Sequence, residues 1–214
     1  MKKRTYVRFF IASAFLLAFV LWTVLVLFVD VQAVGPQGSA VGFAAWNARL
    51  HQLTGVHMGM YTVTDWLGLV PIGVALGFAI CGLVQWVQRK DIRLVDRSIL
   101  FLGLFYILVM AVYILFEYVV INYRPILING YLEASYPSST TMLVLCVMPT
   151  AMMQLSIRIR SHICRQFVLL LMGGFIAFMV IGRLLSGVHW FSDILGGVLV
   201  STGLVALYAA FTAF

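Results

Sequence analysis

The chain alternates between long apolar segments and short polar ones. Six segments carry few or no charges over about 20 positions, the length that an α-helix needs to cross the hydrocarbon core of a bilayer. The polar segments between them are too short to hold a large soluble domain. The pattern therefore predicts six membrane-spanning helices, at residues 9–29, 66–87, 98–121, 138–157, 166–185 and 190–214.

The composition agrees with a membrane protein. The 214 residues are 63% hydrophobic, have a mean hydropathy of +1.06, and include only 10% Asp, Glu, Lys and Arg. A soluble domain carries charge at about a quarter of its positions, so this chain lacks the polar surface that water would require. We predict an all-α fold, an integral membrane bundle of six transmembrane helices. Residues 1–65 supply the first helix and an external segment of one compact domain, and residues 66–214 supply the rest.

The positions of the basic residues predict how the bundle is oriented. The net charge is +7, and most Lys and Arg residues lie before the first apolar segment, between the second and third, or between the fourth and fifth. By the positive-inside rule this side is cytoplasmic, and so are both termini. The basic balance thus reflects topology and does not indicate nucleic-acid binding. Eleven of the 14 basic residues belong to these segments: Lys2, Lys3, Arg4, Arg8, Arg89, Lys90, Arg93, Arg97, Arg158, Arg160 and Arg165.

The first apolar segment has two interpretations. Its basic start and the small-residue sequence at 31–33 resemble a cleavable secretory signal. However, residues 9–29 are longer than the roughly 7–15 apolar residues of a signal core, which favours a retained first helix. The cysteines Cys81, Cys146 and Cys164 are odd in number and scattered, so we expect neither a disulfide nor a metal cluster.

The longest predicted external segment runs from residue 30 to residue 65. Turn residues at 35–39 interrupt any helix near its start. Phe43, Trp46, Leu50 and Leu53 then recur at spacings of three and four, with polar residues between them, which predicts a short amphipathic helix at the outer membrane interface.

A small set of polar residues lies at the predicted outer face and requires a chemical explanation. Arg124 follows the third helix, Arg183 ends the fifth, and His189 and Asp193 lie at the start of the sixth. Ionisable groups at membrane depth are energetically costly and therefore indicate function. His189 and Asp193 are four residues apart, so the carboxylate can fix the imidazole tautomer and leave the other nitrogen as a nucleophile or base.

The start of the fourth helix adds a possible anion site. Residues 136–141 combine a proline with small hydroxyl residues, and the free N–H groups and dipole of a helix N-terminus attract anions. An ordinary Ser cap is the alternative interpretation. Together with Arg124, Arg183 and His189, this helix start provides two cations, backbone donors and a nucleophile, which is the set that phosphoryl transfer uses.

The spacing of the residues around His189 resembles a known sequence motif. Arg183, His189 and Asp193 are separated by five and three residues, as in the pattern S-R-x5-H-x3-D, with Gly182 in place of the leading Ser. That pattern is the third motif of the type 2 phosphatidic acid phosphatase and vanadium haloperoxidase superfamily. The resemblance covers about residues 66–214, which are therefore expected to form a phosphatase-like membrane domain.

The other two motifs of that superfamily are present in altered form. Its first motif, K-x6-R-P, is similar to Glu117, six intervening residues and Arg124-Pro125, and its second, P-S-G-H, is similar to residues 137–140. Glu117 thus replaces the motif Lys, and Thr140 replaces the motif His. The order of the motifs and the six-helix layout both agree with the membrane branch of the superfamily.

The resemblance implies a role for each matched residue. His189 attacks phosphorus and forms a phosphohistidine, while Asp193 orients it. No cofactor or metal ion is implied. A lipid phosphate or lipid diphosphate binds on the extracytoplasmic side of a plasma membrane. The implied phosphate-binding residues are Arg124, Ser138, Ser139 and Arg183.

The two replacements leave the activity and the substrate open. General acid catalysis contributes about 10²–10⁴-fold, and a Thr hydroxyl is too weak an acid to supply it. A lipid diphosphate expels a better leaving group than phosphatidate does, so an undecaprenyl-diphosphate-like substrate is favoured. His51, His57 or Glu117 are candidates for a substitute acid. The alternative is a catalytically impaired phosphatase-like protein that binds lipid or acts as a scaffold.

Glu117 itself has two possible roles. It lies two turns before Arg124 and can orient that residue or Arg183 through a salt bridge. The other possibility is a specialised contact with a cationic or amine-bearing head group.

Overall fold

The computed structural model describes residues 2–212 of the chain and is almost entirely helical over that range. Isolated β-bridges are present there, but no strand forms. This confirms the predicted all-α class. The helices are α1 (Lys2–Phe28), α2 (Ala44–Thr54), α3 (Met58–Leu67), α4 (Leu69–Arg89), α5 (Arg97–Tyr118), α6 (Ser139–Arg158), α7 (His162–Leu185) and α8 (Phe191–Thr212).

Six helical segments of the described chain are long and apolar enough to cross a membrane, as predicted. Five of them are single helices, and the second combines α3 and α4 across a break at Gly68. Its start at Met58 lies eight residues before the predicted start at Trp66. The prediction began too late because residues 61–65 contain two threonines and an aspartate, which dilute the apolar pattern without interrupting the helix.

Helices α6 and α8 form the centre of the bundle. About half of their spanning residues are buried inside the protein, a much larger share than in the other spans, whose apolar side chains face outward. Phe19, Phe105, Tyr136, Met142 and Tyr208 belong to the core cluster around them.

Helix α1 packs antiparallel along α8. At one end the Arg8 side chain donates to the carbonyl of Ala209 at 2.9 Å. At the other end the Trp22 indole donates to the carbonyl of Ser192 at 3.1 Å. Through the contact with Ser192, α1 stabilises the first turn of α8, where the candidate functional residues begin.

The amphipathic helix predicted between the first two spans is present as α2. Trp46 and Leu53 point away from the protein, with exposed fractions of 68% and 75%. Its protein-facing side holds a polar residue, because Asn47 is buried and bonded to Ser192. The segment thus supports α8 as well as connecting two spans.

The segment between α5 and α6 forms a short hairpin. Its ends are paired by hydrogen bonds from Arg124 N to the carbonyl of Glu133 and from Ser135 N to the carbonyl of Asn122, at 3.0 and 2.9 Å. The turn at Asn129-Gly130 has positive φ at both residues, a conformation that Asn-Gly adopts readily. The hairpin holds Arg124 and Asn122 over the start of α8.

Candidate active site

The predicted residues meet where several helix ends converge. The site is formed by α3, the hairpin, the first turns of α6 and α8, and the last turn of α7. The structure brings His189, Asp193, Arg183 and Arg124 together here, although Asp193 follows Arg124 by 69 positions in the sequence. Each helix contributes the end of its span, so the site lies at one end of the bundle.

His189 is held in the short segment between α7 and α8. Its side chain is buried, with a residue exposure of 3%. Nη2 of Arg183 donates to Nε2 of the imidazole at 3.4 Å, and Nδ1 lies 3.8 Å from Oδ2 of Asp193. An Arg donor requires an unprotonated Nε2, so the ring proton belongs on Nδ1, next to the carboxylate.

The surroundings of His189 keep it neutral. Burial lowers the pKa of the imidazole well below its ordinary value of 6.5, and the positive charges of Arg124 and Arg183 lower it further. A neutral imidazole keeps the lone pair on Nε2 at neutral pH. His189 is therefore prepared to act as a nucleophile or base.

Asp193 is held by a buried network of hydrogen bonds. Its Oδ2 accepts from the backbone N–H of Trp190 at 2.9 Å, the reach-back of a helix capping box. Its Oδ1 accepts from Nδ2 of Asn122 at 3.1 Å and from the hydroxyl of Ser192 at 3.4 Å. The carboxylate thus both caps α8 and is fixed in position beside the imidazole.

Arg183 is enclosed by one face of α3. Its Nη1 donates to the hydroxyl of Thr64 at 3.4 Å and lies 3.6 Å from Oδ1 of Asp65. The ring of Tyr61, one turn earlier, lies 5.1 Å from the guanidinium carbon, a cation–π distance. With an exposure of 1%, Arg183 is the largest fully buried side chain of the described residues.

Arg124 reaches the site from the hairpin. Its Nε lies 3.0 Å from Oε2 of Glu133, the residue to which its own backbone is paired. Four buried nitrogens around the site have no hydrogen bond of standard geometry within residues 2–212: Nε and Nη1 of Arg124, Nε of Arg183 and Nδ1 of His189. Buried donors without partners are rare in folded proteins. Nε of Arg124 faces Glu133 and Nδ1 of His189 faces Asp193, so the other two guanidinium nitrogens are the donors available to an anion.

The first turn of α6 caps the helix and borders the site. The Ser138 hydroxyl donates to Oγ1 of Thr141, and Ser138 N donates to the carbonyl of Asp193 at 3.0 Å. Ser138 therefore serves as the cap that the sequence also allowed. Ser139 and Thr140 are only half-buried and line a cavity of about 390 Å³ between α3, α4, α5 and α6.

The wall of this cavity changes from polar to apolar along its depth. Asp65, Tyr113, Ser139 and Thr140 line the end near the site. The remaining wall is apolar and runs away from the site along α4 and α5; it consists of Gly68, Leu69, Ile72, Val109, Met110, Met142 and Leu143. A cavity with this polarity fits an amphiphile whose polar head lies next to Arg183.

Glu117 lies apart from both arginines. It lines a narrow pocket with Tyr113, Ser135 and Ser139, and it is exposed. In the described residues the ion pairs of Arg124 and Arg183 are made with Glu133 and Asp65. The salt-bridge role considered for Glu117 therefore falls to these two other acids.

The two histidines of the first external segment are bonded elsewhere. Nε2 of His51 lies 3.0 Å from the carbonyl of Gly187, and its ring packs against Trp190. Nε2 of His57 lies 2.9 Å from the carbonyl of Thr54 in its own segment. Each imidazole supports a turn that leads toward the site.

Several residues of the site have no sequence signal of their own. Tyr61, Thr64 and Asp65 lie in a segment predicted to be mostly external loop, and Asn122 lies in the second loop. The spacing of four between Tyr61 and Asp65, with Thr64 between them, does place all three on one helix face. The Asn129-Gly130 pair likewise signals the hairpin that positions Asn122 and Arg124.

Comparison with known structures identifies the fold. The chain is similar to the crystal structure of the first transmembrane PAP2 type phosphatidylglycerolphosphate phosphatase, from Bacillus subtilis, with a TM-score of 0.55 and 20% sequence identity. The similarity covers 95% of this chain and 96% of that one. No protein-family profile matches the sequence, and no curated protein does either. The chain therefore has the fold of a membrane PAP2 phosphatase.

Proposed function

We propose that this protein is a membrane lipid phosphatase that hydrolyses a lipid phosphate or an isoprenoid diphosphate through a phosphohistidine on His189. The observation that carries the proposal is the convergence of a neutral, buried imidazole with two arginines and a helix N-terminus beside an apolar cavity. The fold shared with a lipid phosphatase supports the same reaction class.

The site geometry supports a two-step reaction. Nε2 of His189 attacks phosphorus, the bond to the leaving oxygen breaks, and Asp193 stabilises the positive charge that develops on the ring. Water then attacks the phosphohistidine, the P–N bond breaks, and its electron pair returns to Nε2. Phosphate is released, and the enzyme returns to its starting state.

The phosphate oxygens have donors on three sides. Arg183 and Arg124 provide charged donors that do not need to reorganise in the transition state. The first turn of α6 adds the backbone N–H groups of Ser139 and Thr140, which have no partner inside the helix. Ser138 contributes by fixing this turn against the carbonyl of Asp193.

The chemistry of the site favours an isoprenoid diphosphate over phosphatidate. Cleavage of a phosphate monoester expels an alkoxide, which needs a proton, whereas cleavage of a diphosphate at its terminal phosphorus expels a lipid monophosphate. Thr140 offers no acid of useful strength for the first case. Purified protein should release phosphate faster from undecaprenyl diphosphate than from phosphatidate, and the opposite order would reverse this ranking.

The test of the reaction is phosphate release in detergent across a panel of lipid phosphates and diphosphates. His189→Ala should lower the rate by at least about 10³-fold, because the nucleophile is lost. His162→Ala is the matched control, since His162 is exposed at the start of α7, away from the site. Equal release by His189→Ala and the parent protein would refute the enzymatic proposal.

A second candidate is a catalytically impaired lipid-binding or scaffold protein. It is favoured by the replacement of two motif residues, Thr140 and Glu117, in a site that otherwise retains its anion-binding groups. Thr140→His distinguishes the two candidates, because the cavity beside residue 140 has room for the larger ring. If the parent is inactive on every lipid and Thr140→His restores phosphate release, the impaired protein is the correct description.

A further inference from the structure

Asp65 is the acidic residue that comes nearest to the phosphate-binding groups from the cavity side. It lies near the end of α3, and its Oδ1 is 3.6 Å from Nη1 of Arg183. The Asp65 side chain is 56% exposed, whereas that of Arg183 is 1% exposed. The carboxylate therefore contacts the buried cation on one side and open space on the other.

The open space beside Asp65 belongs to the cavity next to the site. Asp65 lines the cavity of about 390 Å³ together with Ser139 and Thr140, at the polar end of its wall. A Cβ added to Gly68, three residues after Asp65, would lie 3.7 Å from Cγ2 of Thr140. The side chain at position 140 thus packs at the α3–α4 junction, near the backbone of Asp65, and both residues line the cavity.

We propose that Asp65 is the catalytic acid and base of this enzyme, giving a proton to the leaving oxygen and later taking one from the attacking water. This rests on the proposed function, since it assigns a role within the same reaction. It places on α3 the proton transfer that the resembled superfamily places at the position of Thr140. The enzyme should then cleave monophosphates as well, while a diphosphate, with its better leaving group, still reacts faster.

The proton balance closes over the two steps. In the first, the bond between phosphorus and the leaving oxygen breaks as Nε2 of His189 bonds to phosphorus, and the leaving oxygen takes the proton from the Asp65 carboxyl. In the second, water adds to phosphorus, its proton passes to the Asp65 carboxylate, and the P–N bond breaks. The second step returns to Asp65 the proton that the first step removed, so the cycle closes without a net change in protons.

Glu117 is a weaker candidate for the same role. It borders a different, narrow pocket beside Tyr136 and Ser135, and Asp65 rather than Glu117 is paired with Arg183. Asp65 and Thr140 line the same cavity, whereas Glu117 lines only the narrow pocket, which shares Tyr113, Ser139 and Met142 with that cavity. Glu117→Gln is therefore a suitable control that removes a nearby carboxylate of the same charge.

The test compares two substrates that share one lipid chain, an isoprenyl monophosphate and the corresponding diphosphate. Asp65→Asn removes the proton carrier and keeps the shape of the side chain. We expect the rate on the monophosphate to fall about 10²-fold or more, and the rate on the diphosphate to fall at least tenfold less, because its leaving group needs little protonation. Asp65→Glu keeps a carboxyl and should retain most of the rate on the monophosphate. Glu117→Gln should not lower the rate on one substrate more than the rate on the other.

Each outcome decides the proposal. An equal loss on both substrates would mean that Asp65 only positions Arg183, and no loss on either would mean that it has no role; both overturn the inference. A parent protein that cleaves the diphosphate but never the monophosphate overturns it too. These failures differ from failure of the proposed function, which would show as phosphate release that survives His189→Ala. Restoration of the monophosphate rate in Asp65→Asn by Thr140→His would support the proposal and exclude misfolding.

Discussion

The imidazole of His189 owes its properties to three sets of residues that are distant in sequence. Burial within the bundle is the largest influence, Arg124 comes from the hairpin, and Arg183 comes from α7. Asp193 fixes the orientation of the ring while also capping α8. The chemistry of one residue thus depends on the assembly of the whole end of the bundle that holds the site.

The lowered pKa of His189 predicts how the residue responds to pH. Its proton is lost below the ordinary value of 6.5, so the imidazole should still be neutral at pH 6, and the nucleophile should remain available there. Histidine-selective ¹⁵N NMR in detergent, with the signal assigned by His189→Gln, measures this directly. Removing one positive charge with Arg124→Gln should raise the pKa. A His189 signal that titrates at or above 6.5 in the parent protein would contradict the described burial.

The spacing of single residues predicted part of the site. Arg183, His189 and Asp193 lie within eleven positions, so local spacing was enough to place them together. Asp65 and Asn122 were not assigned, because their partners are more than 70 residues away in sequence and only the packing of helices brings them near. An isolated aspartate in an external segment carries no sign of its partner.

At the level of elements, polar residues inside apolar segments caused the wrong prediction of a helix start, and they also make contacts in the candidate site. The threonines and aspartate of α3 hid the start of the second span, and two of these same side chains hold Arg183. Likewise α2 was predicted from its apolar positions, but its buried contact is made by Asn47. Apolar periodicity predicts the helices, whereas polar residues within the apolar segments make the contacts between helices.

The close pairing of α1 with α8 depends on the absence of a side chain at Gly203. A Cβ at this position would lie 2.8 Å from Cγ and Cδ2 of Leu16, so the two helices could not approach as they do. Gly203→Ala should lower the stability by about 1–3 kcal/mol through overpacking. Thermal unfolding in detergent measures the change.

Gly173 in α7 supplies the matched control for Gly203. A Cβ there meets no described atom within 4 Å. Gly173→Ala should therefore leave the midpoint of thermal unfolding unchanged or raise it slightly, because Ala has a better helix propensity than Gly. Equal effects of the two substitutions would show that α1 is not packed against α8 at Leu16.

At the level of the whole molecule, the basic segments and the candidate active site lie at opposite ends of the bundle. Helix α6 begins beside the site and ends at Arg158, and α4 runs from the cavity to Arg89. A helix of 20 residues is roughly 30 Å long, so the basic segments lie about a bilayer thickness from His189. The positive-inside rule then predicts an extracytoplasmic site.

This orientation can be tested with a cysteine that the protein already has. Cys164 is exposed at the start of α7, in a predicted cytoplasmic segment. In intact cells a membrane-impermeant maleimide should leave it unlabelled, and permeabilisation should expose it. A cysteine introduced by Tyr131→Cys, in the exposed hairpin turn, should be labelled in both cases. The reverse pattern would place the site in the cytoplasm.

The most direct measurement is a search for the covalent intermediate. A lipid diphosphate labelled with ³²P at its terminal phosphate is mixed with the enzyme, and the reaction is stopped with alkali, in which phosphohistidine survives. We expect label on the peptide that contains His189, formed at least as fast as phosphate is released. It should be present in His162→Ala and absent in His189→Ala. Rapid phosphate release without label on the protein, or label that persists in His189→Ala, would contradict a phosphohistidine mechanism at this site.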